Sequence, residues 1–209
     1  MTERQQTPIL ARRLSDNQLQ RLGHAWGVAF ANDPLYRYLQ PEAAQRTVFL
    51  EEWMRAMARY GLRHAQLYLT PEPLRGGAIW EAPHAPALEV LGMLRAGILR
   101  PLMRLDWRTI RQLMDMEREM ETLRRQQPPH WYLSLLGIHP SAQGQGFGSA
   151  LLQPGLQTAD RQGLPCYLET MTEADVRFCQ KSGFEVVTQR RLPNAAPYWT
   201  MRRAPQPVH

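Results

Sequence analysis

Cysteine and lysine are nearly missing from this chain of 209 residues. Its two cysteines, Cys166 and Cys179, lie too far apart for a CxxC or zinc spacing, and two cannot build a disulfide framework. The expectation is a reduced, cytoplasmic protein without a metal centre. Of 25 basic residues only Lys181 is lysine. A Walker A loop needs Gly-Lys-Ser/Thr, so that phosphate motif is excluded at once. Long apolar runs are missing as well, and nothing approaches the roughly 20 residues that cross a bilayer. The opening MTERQQTPIL is polar, with neither an apolar stretch nor a small-residue cleavage site, so no targeting leader and no membrane partner are expected. Repeats and low-complexity tracts do not occur.

What the chain does contain is enough for a full core. Hydrophobic residues reach 44% and aromatics 9%, which excludes a disordered, collagenous or disulfide-stapled miniprotein. The length fits one domain of roughly 100–200 residues with room for an insertion. A net charge of +6 and a pI near 9.8 invite a nucleic-acid reading. No helix-turn-helix, RNP or zinc signature accompanies that charge, so no nucleic-acid partner is expected. Four of the positives, Arg190, Arg191, Arg202 and Arg203, fall in a C-terminal stretch with no acid after Glu185. They either attract a polyphosphate or an acidic acceptor, or simply solvate edge strands.

Periodicity divides the chain into alternating elements. A first strand is read over 8–14, and Ser15 and Asp16 cap a helix that stops near Asp33-Pro34, because a residue before proline leaves the α region. A second helix follows Pro41. Strands over 64–70 and 76–80 form a hairpin around the 71–77 turn. From 87 to 126 the period is helical, divided at Pro101; this segment is read as an insertion that covers the sheet, forms a lid or forms a dimer surface. The strongest strand is 131–138. A helix to about Gln162, a strand over 166–170, a helix over 174–181 and strands over 184–189 and 198–202 complete the chain, with a loose tail over 204–209. The order implies an α/β fold with a mixed sheet, in one domain with a helical insert.

The chemistry concentrates where the strand 131–138 turns into a helix, in Ile138-His139-Pro140-Ser141-Ala142-Gln143-Gly144-Gln145-Gly146-Phe147-Gly148-Ser149. A helix start leaves backbone N–H groups without acceptors and carries partial positive charge. Glycines at 144, 146 and 148 let a ligand approach, so the turn suits a pyrophosphate. A dinucleotide fingerprint requires GxGxxG, which this stretch does not give.

The pattern Gln143-x-x-Gly146-x-Gly148 after an apolar strand resembles the acetyl-CoA loop of the GNAT superfamily of N-acetyltransferases. The resemblance extends over about 8–203, including the Gly183-Phe184 pair after the short helix. Tyr167-Leu168-Glu169-Thr170, Trp199-Thr200-Met201-Arg202 and His130-Trp131-Tyr132-Leu133 look closest to the branch of puromycin N-acetyltransferase. The family implies a GNAT-like sheet whose strand 131–138 parts from its parallel neighbour, and transfer from acetyl-CoA to a primary amine of a small molecule or peptide. Leu136, Gly137 and Ile138 would then hold the pantetheine arm. Gln143, Gly144, Gln145, Gly146, Phe147, Gly148 and Ser149 would hold the pyrophosphate.

The family's asparagine and tyrosine on the short helix are here Asp175 and Cys179. Asp175 either meets the cofactor or caps its helix. Cys179 either protonates the leaving thiolate, as a thiol of pKa ~8.5 can, or is a small buried hydrophobe. The ammonium acceptor must lose a proton, for which Glu169 is the first candidate base, with Glu81 and Asp33 weaker ones. His130 and His139 read as loop residues. Phe30, Tyr36, Trp80, Trp199 and the insert could shape the acceptor pocket. Besides the enzyme, two other possibilities stay open: an acyl-CoA-binding sensor without turnover, and a homodimer.

Overall fold

The computed structural model describes residues 7–83, 90–192 and 196–207. The first residues of the insert (87–89) and the end of the tail (208–209) lie outside the described residues. Seven strands form one mixed sheet in the order β1-β2-β3-β4-β5-β7-β6. They are β1 (Ile9–Leu10), β2 (Gln66–Leu69), β3 (Gly76–Glu81), β4 (Trp131–Ile138), β5 (Cys166–Thr170), β6 (Glu185–Arg191) and β7 (Pro197–Arg203). All neighbours are antiparallel except β4 and β5.

Helices cover both faces, and two core clusters result. Under α1 (Asp16–Ala29) and α3 (Ala43–His64) lie Trp26, Phe49, Leu50, Met54, Leu67 and Ile79. Under α7 (Phe147–Gln162) and α8 (Glu173–Gln180) lie Trp80, Trp131, Leu152, Cys166, Leu168 and Met201. Strand alternation explains the split: Ile79 faces one cluster and its neighbours Ala78 and Trp80 face the other.

The expected seven strands are present, with differences at the ends. The first strand is two residues long rather than seven. A six-residue helix, α2 (Pro34–Leu39), follows α1 after a short turn. Asp33 caps it by accepting the Leu35 N–H at 2.8 Å, and Pro34 occupies its first turn. Asp33-Pro34 reads as a stop in sequence, and it is a start as well, since proline's missing N–H costs nothing in a first turn.

The insert holds three helices rather than two: α4 (Val90–Ala96), α5 (Leu99–Leu102) and α6 (Trp107–Arg125). The first break falls at Gly97, whose φ of 94° ends α4. Pro101 sits inside α5 and does not divide the segment. Asp106 caps α6 through the Thr109 N–H. The insert is anchored on α3 by Glu52, whose carboxylate, 4% exposed, takes Arg104 at 2.6 and 3.1 Å and Arg100 at 2.9 Å. Helix α6 then crosses the sheet. Its Gln112 accepts from Tyr38 on α2, its Glu119 accepts from Tyr198 on β7 at 3.0 Å, and its Arg124 lies 4.0 Å from Glu81 on β3.

Candidate active site

Strands β4 and β5 share only two register pairs, Trp131↔Cys166 and Tyr132↔Tyr167. Beyond them β4 runs on for six residues without β5, so the sheet opens between the two. A bulge on β4 lies at the opening: the partner of Ile79 is Leu135 and that of Trp80 is Leu133, which leaves Ser134 without an opposite residue. The bulge reverses which backbone groups face the gap. His139 donates its N–H to the Arg75 carbonyl at 2.8 Å, on the β3 side. By alternation Gly137 also faces β3, while the amide and carbonyl groups of Leu136 and Ile138 face the opening.

Of the three residues expected to meet a pantetheine arm, Leu136 and Ile138 are therefore turned to the gap. Gly137 serves the sheet. Its carbonyl accepts the Trp26 indole N–H at 3.1 Å, and a Cβ there would stand 2.6 Å from the Trp26 ring and 2.8 Å from Phe30. The Ile138 carbonyl accepts from the Gln143 side-chain amide at 3.0 Å. Gln143 thus closes the turn against β4.

The turn itself is exposed from Gln143 to Gly146. Gly144 and Gly146 have φ of 73° and 86°, a region that favours glycine. A Cβ at Gly144 would meet nothing within 4 Å, so the space above the turn is open. Gly148 is small for another reason: a Cβ there would press on the Phe178 ring of α8 at 3.1 Å. Gly146 is the N-cap of the sixteen-residue α7, so the N–H groups of Phe147, Gly148 and Ser149 have no intrahelical acceptor. Gln145 folds back, donating to the Ser141 carbonyl at 3.0 Å. An open glycine turn feeding a helix start fits an anionic phosphate group well.

Helix α8 lies beside this turn. Asp175 is exposed and forms a reciprocal cap with Thr172, giving its N–H at 3.1 Å and accepting the hydroxyl at 2.6 Å. The capping alternative is the one the geometry favours. Cys179 is 5% exposed inside the second core cluster, and burial pushes its thiol up to about 12. Such a thiol is a weaker acid than the thiol that forms when the leaving thiolate is protonated, so the transfer would run uphill. The packing alternative fits it better. Gly183, with φ 85°, ends the helix and leads into buried Phe184.

On the other side of the gap is a polar recess under α6. Glu81 pairs with Tyr132, Tyr132 with Tyr167, and Glu169 with Thr200 across the strands, so these side chains share the α6 face. Glu169 is the most perturbed carboxylate of the group. Burial pushes it up to about 7, against the Tyr132 hydroxyl and Arg124, which favour its charged form. Its Oε2 is buried and has no hydrogen-bond partner among the described residues. Burial also raises Glu81, opposed by Arg124 and Ser134.

Above them, Glu117 and Glu121 stand one turn apart on α6. Glu117 keeps accessible side-chain surface, yet enough protein surrounds its carboxyl to raise its pKa. Glu121 is buried in part, but Arg125 and Arg124 hold it below the usual range. The Arg124 guanidinium also caps the Tyr132 ring, 4.2 Å from its centre.

The recess reaches the gap through α2. Burial pushes Asp33 up to about 6, and Asp175 across the opening adds to the rise. Tyr36, packed edge-on against Phe30 at 5.8 Å, is raised by burial and by Asp33 and Glu117. Of the aromatics expected around an acceptor, Phe30 and Tyr36 border this region. Trp80 and Trp199 do not: both are core residues on the opposite face, and Trp80 packs against Gly155. His130 donates to the Pro128 carbonyl and is lowered by burial, and His139 caps the turn by accepting the Ser141 N–H. Two of the C-terminal arginines are engaged in ion pairs. Arg203 makes a bidentate, buried bridge to Asp160 at 2.7 and 2.9 Å, and Arg190 pairs with Glu119 at 3.1 Å.

Tyr132, Glu117, Glu121, Arg124 and Trp26 escaped the sequence reading. The i,i+4 acidic pair on α6 was a visible signal; that it adds to the charge around Glu169 could not be read, because Leu113, Met116 and Met120 mark the buried stripe of the helix. Among the described residues no group of three His, Cys, Asp or Glu is placed to hold a metal ion, and no helix is long and apolar enough to cross a membrane.

Residues 43–184 match the family described as Acetyltransferase (GNAT) family. Over 101 residues, 46% of this chain, the sequence is 26% identical to an uncharacterized N-acetyltransferase of Schizosaccharomyces pombe; the match spans 41% of that relative's length. A crystal structure of histone acetyltransferase HPA2 and related acetyltransferase from Corynebacterium glutamicum has a TM-score of 0.62 at 19% identity, covering 97% of both chains. Mosquito arylalkylamine N-acetyltransferase like 5b reaches 0.52 at 12% identity, covering 95% of this chain and all of its own. At these identities the likeness establishes the mixed fold and says nothing of the acceptor.

Proposed function

This chain belongs to the GNAT acetyltransferase family, and on that premise we propose that it transfers the acetyl group of acetyl-CoA to a primary amine of a small molecule, with Glu169 as the base. The observation that carries this reading is the opening between β4 and β5, with a glycine turn and helix start at one end and, at the other, Glu169, whose buried Oε2 has no hydrogen-bond partner among the described residues. Acetyl-CoA, when bound, supplies an activated acetyl group. The N–H groups of Phe147, Gly148 and Ser149 bind its phosphates, and the outward groups of Leu136 and Ile138 bind and orient its pantetheine arm. The resemblance to the puromycin N-acetyltransferase branch supports a small-molecule acceptor.

Glu169 does the acid–base work. A carboxylate near pKa 7 is half ionised at neutral pH, so it can accept a proton from an ammonium and pass it to solvent. Tyr132 fixes its orientation, and Arg124 limits the rise of its pKa. Cys179 takes no part, and the leaving thiolate is protonated from water. Capping by Asp175 and burial of Cys179 favour one other reading, an acyl-CoA-binding module without turnover. Thiol release from acetyl-CoA in the presence of a primary amine tests the two directly: the enzyme releases thiol, and the binding module does not.

A further inference from the structure

The insert is apolar on two sides. Met93, Ala96 and Ile98 are buried against Ala56 and Tyr60 of α3, and Leu105 is buried in the first core cluster. Leu91, Leu94, Leu99, Met103, Trp107 and Met114 are instead exposed, Met103 by 82% and Trp107 by 71%. They fall in pairs that share a helix face: Leu91 with Leu94, Leu99 with Met103, and Trp107 with Met114. Large apolar side chains gathered in this way mark an interaction surface, unlike ones scattered singly. Positive charge borders them. Residues 90–111 contain five arginines and a single acid, Asp106, which is occupied in capping α6. Glu52 pairs with Arg100 and Arg104, which leaves Arg95, Arg108 and Arg111 as exposed positive charges. Arg63 and Arg59 of α3 join them, donating to the Arg95 and Ala96 carbonyls at 3.4 and 3.5 Å.

We propose that this face of the insert docks on an anionic lipid surface, with Met103 and Trp107 entering the headgroup layer and the arginines meeting lipid phosphates. Apolar and tryptophan side chains bordered by arginine are what a helix lying in a membrane interface presents. The long arginine stems can lie along apolar surface while the charge stays among the headgroups. The expectation of no membrane partner rests on the absence of a crossing run. No helix among the described residues is long and apolar enough to cross, and that leaves contact from one side open. Here the apolar residues are divided among three helices, so no single run announces them. A second copy fits the face poorly: a two-fold contact lays a patch on itself, and would set these arginines against their own copies.

Sedimentation of the intact protein with vesicles of phosphatidylcholine, and with vesicles that also contain phosphatidylglycerol, tests this at physiological ionic strength. Partition into the anionic vesicles should be at least about tenfold stronger, and tryptophan emission should shift to the blue as Trp107 leaves water. The double variant Met103→Ser, Trp107→Ser keeps every charge and should lose at least about tenfold in partition, together with the shift. Arg108→Gln and Arg111→Gln should each cost about fivefold on anionic vesicles only. All four side chains are exposed, so each variant should melt within about 2 °C of wild type. Wild type that stays in the supernatant with anionic vesicles overturns the proposal, as does equal partition into both kinds. Unchanged partition of the Met103, Trp107 variant reduces the contact to adsorption of basic residues and overturns it too. So does a dimer in analytical ultracentrifugation that this variant dissolves, because a second copy then covers the face.

Discussion

Trp26 on α1 donates its indole N–H to the Gly137 carbonyl at 3.1 Å and to that of Gly77 at 3.2 Å. The ring lies where a Gly137 side chain would be, 2.6 Å from an added Cβ. One helix thus braces the part of β4 that has lost β5 as a neighbour, and holds the opening in shape. Gly137→Ala should cost about 2 kcal/mol through overpacking against a ring with nowhere to move. Gly144→Ala, at a positive φ with open space, should cost about 1 kcal/mol. Denaturant melts of both variants give the comparison; equal costs would mean that the Trp26 contact carries no constraint.

Cys179→Ala should leave turnover and its pH profile unchanged and lower stability by about 1 kcal/mol, the loss of one small buried group. A changed acid or alkaline limb would restore the thiol to the mechanism.

Glu52 ties the insert to α3. Arg104 holds its carboxyl below the ordinary range, against burial, and Arg100 adds to the effect. A depressed folded pKa gives stability that is present above the unfolded value and lost as pH falls through the folded one. Glu52→Gln should therefore lower the melting temperature at neutral pH and narrow its gap to wild type in acid. It should also weaken amine binding more than acetyl-CoA binding, because α6 follows α5 in the insert. A pH-independent gap contradicts this role.

Glu169 has the opposite sign. Its folded pKa, about 7, lies above the unfolded carboxyl value, so its ionisation costs stability as pH rises from the unfolded value through 7. A shift of this size corresponds to on the order of 3 kcal/mol at alkaline pH. Glu169→Gln should accordingly stabilise the protein at high pH and change little in acid. Tyr132 and Arg124 favour its charge, while Glu117, Glu121, Tyr167 and Tyr198 are the other titratable groups coupled to it. A variant less stable at high pH would mean that the carboxylate is paid back by contacts as an ordinary structural acid.

Much of this arrangement could be read from the residues. The strand–glycine–helix turn at 131–149 announced itself because its signals are local: an apolar strand, a proline turn, and glycines at spacings a helix start can use. Glu169 was legible only as a carboxylate on the strand beside it. Its partners were not, because Tyr132, Glu117 and Arg124 meet it through strand register and the packing of an inserted helix. Gly148 reads as part of the cradle, and its lack of a side chain also makes room for Phe178, which only the packing of α8 shows. Trp80 and Trp199 looked like pocket walls; alternation sends them to the other face. Period-2 patterning shows that two faces exist, and which one carries the site depends on contacts distant in sequence.

The pH dependence of amine-driven thiol release from acetyl-CoA, for wild type and Glu169→Gln, tests the account most directly. With a primary amine as acceptor, wild-type kcat/KM should rise through a step near pH 7, the step belonging to Glu169. Glu169→Gln should lose that step and fall at least about 100-fold, with its acetyl-CoA binding intact. Wild type that binds acetyl-CoA but releases no thiol with any of a panel of primary amines, or a variant with the wild-type rate and profile, would contradict it.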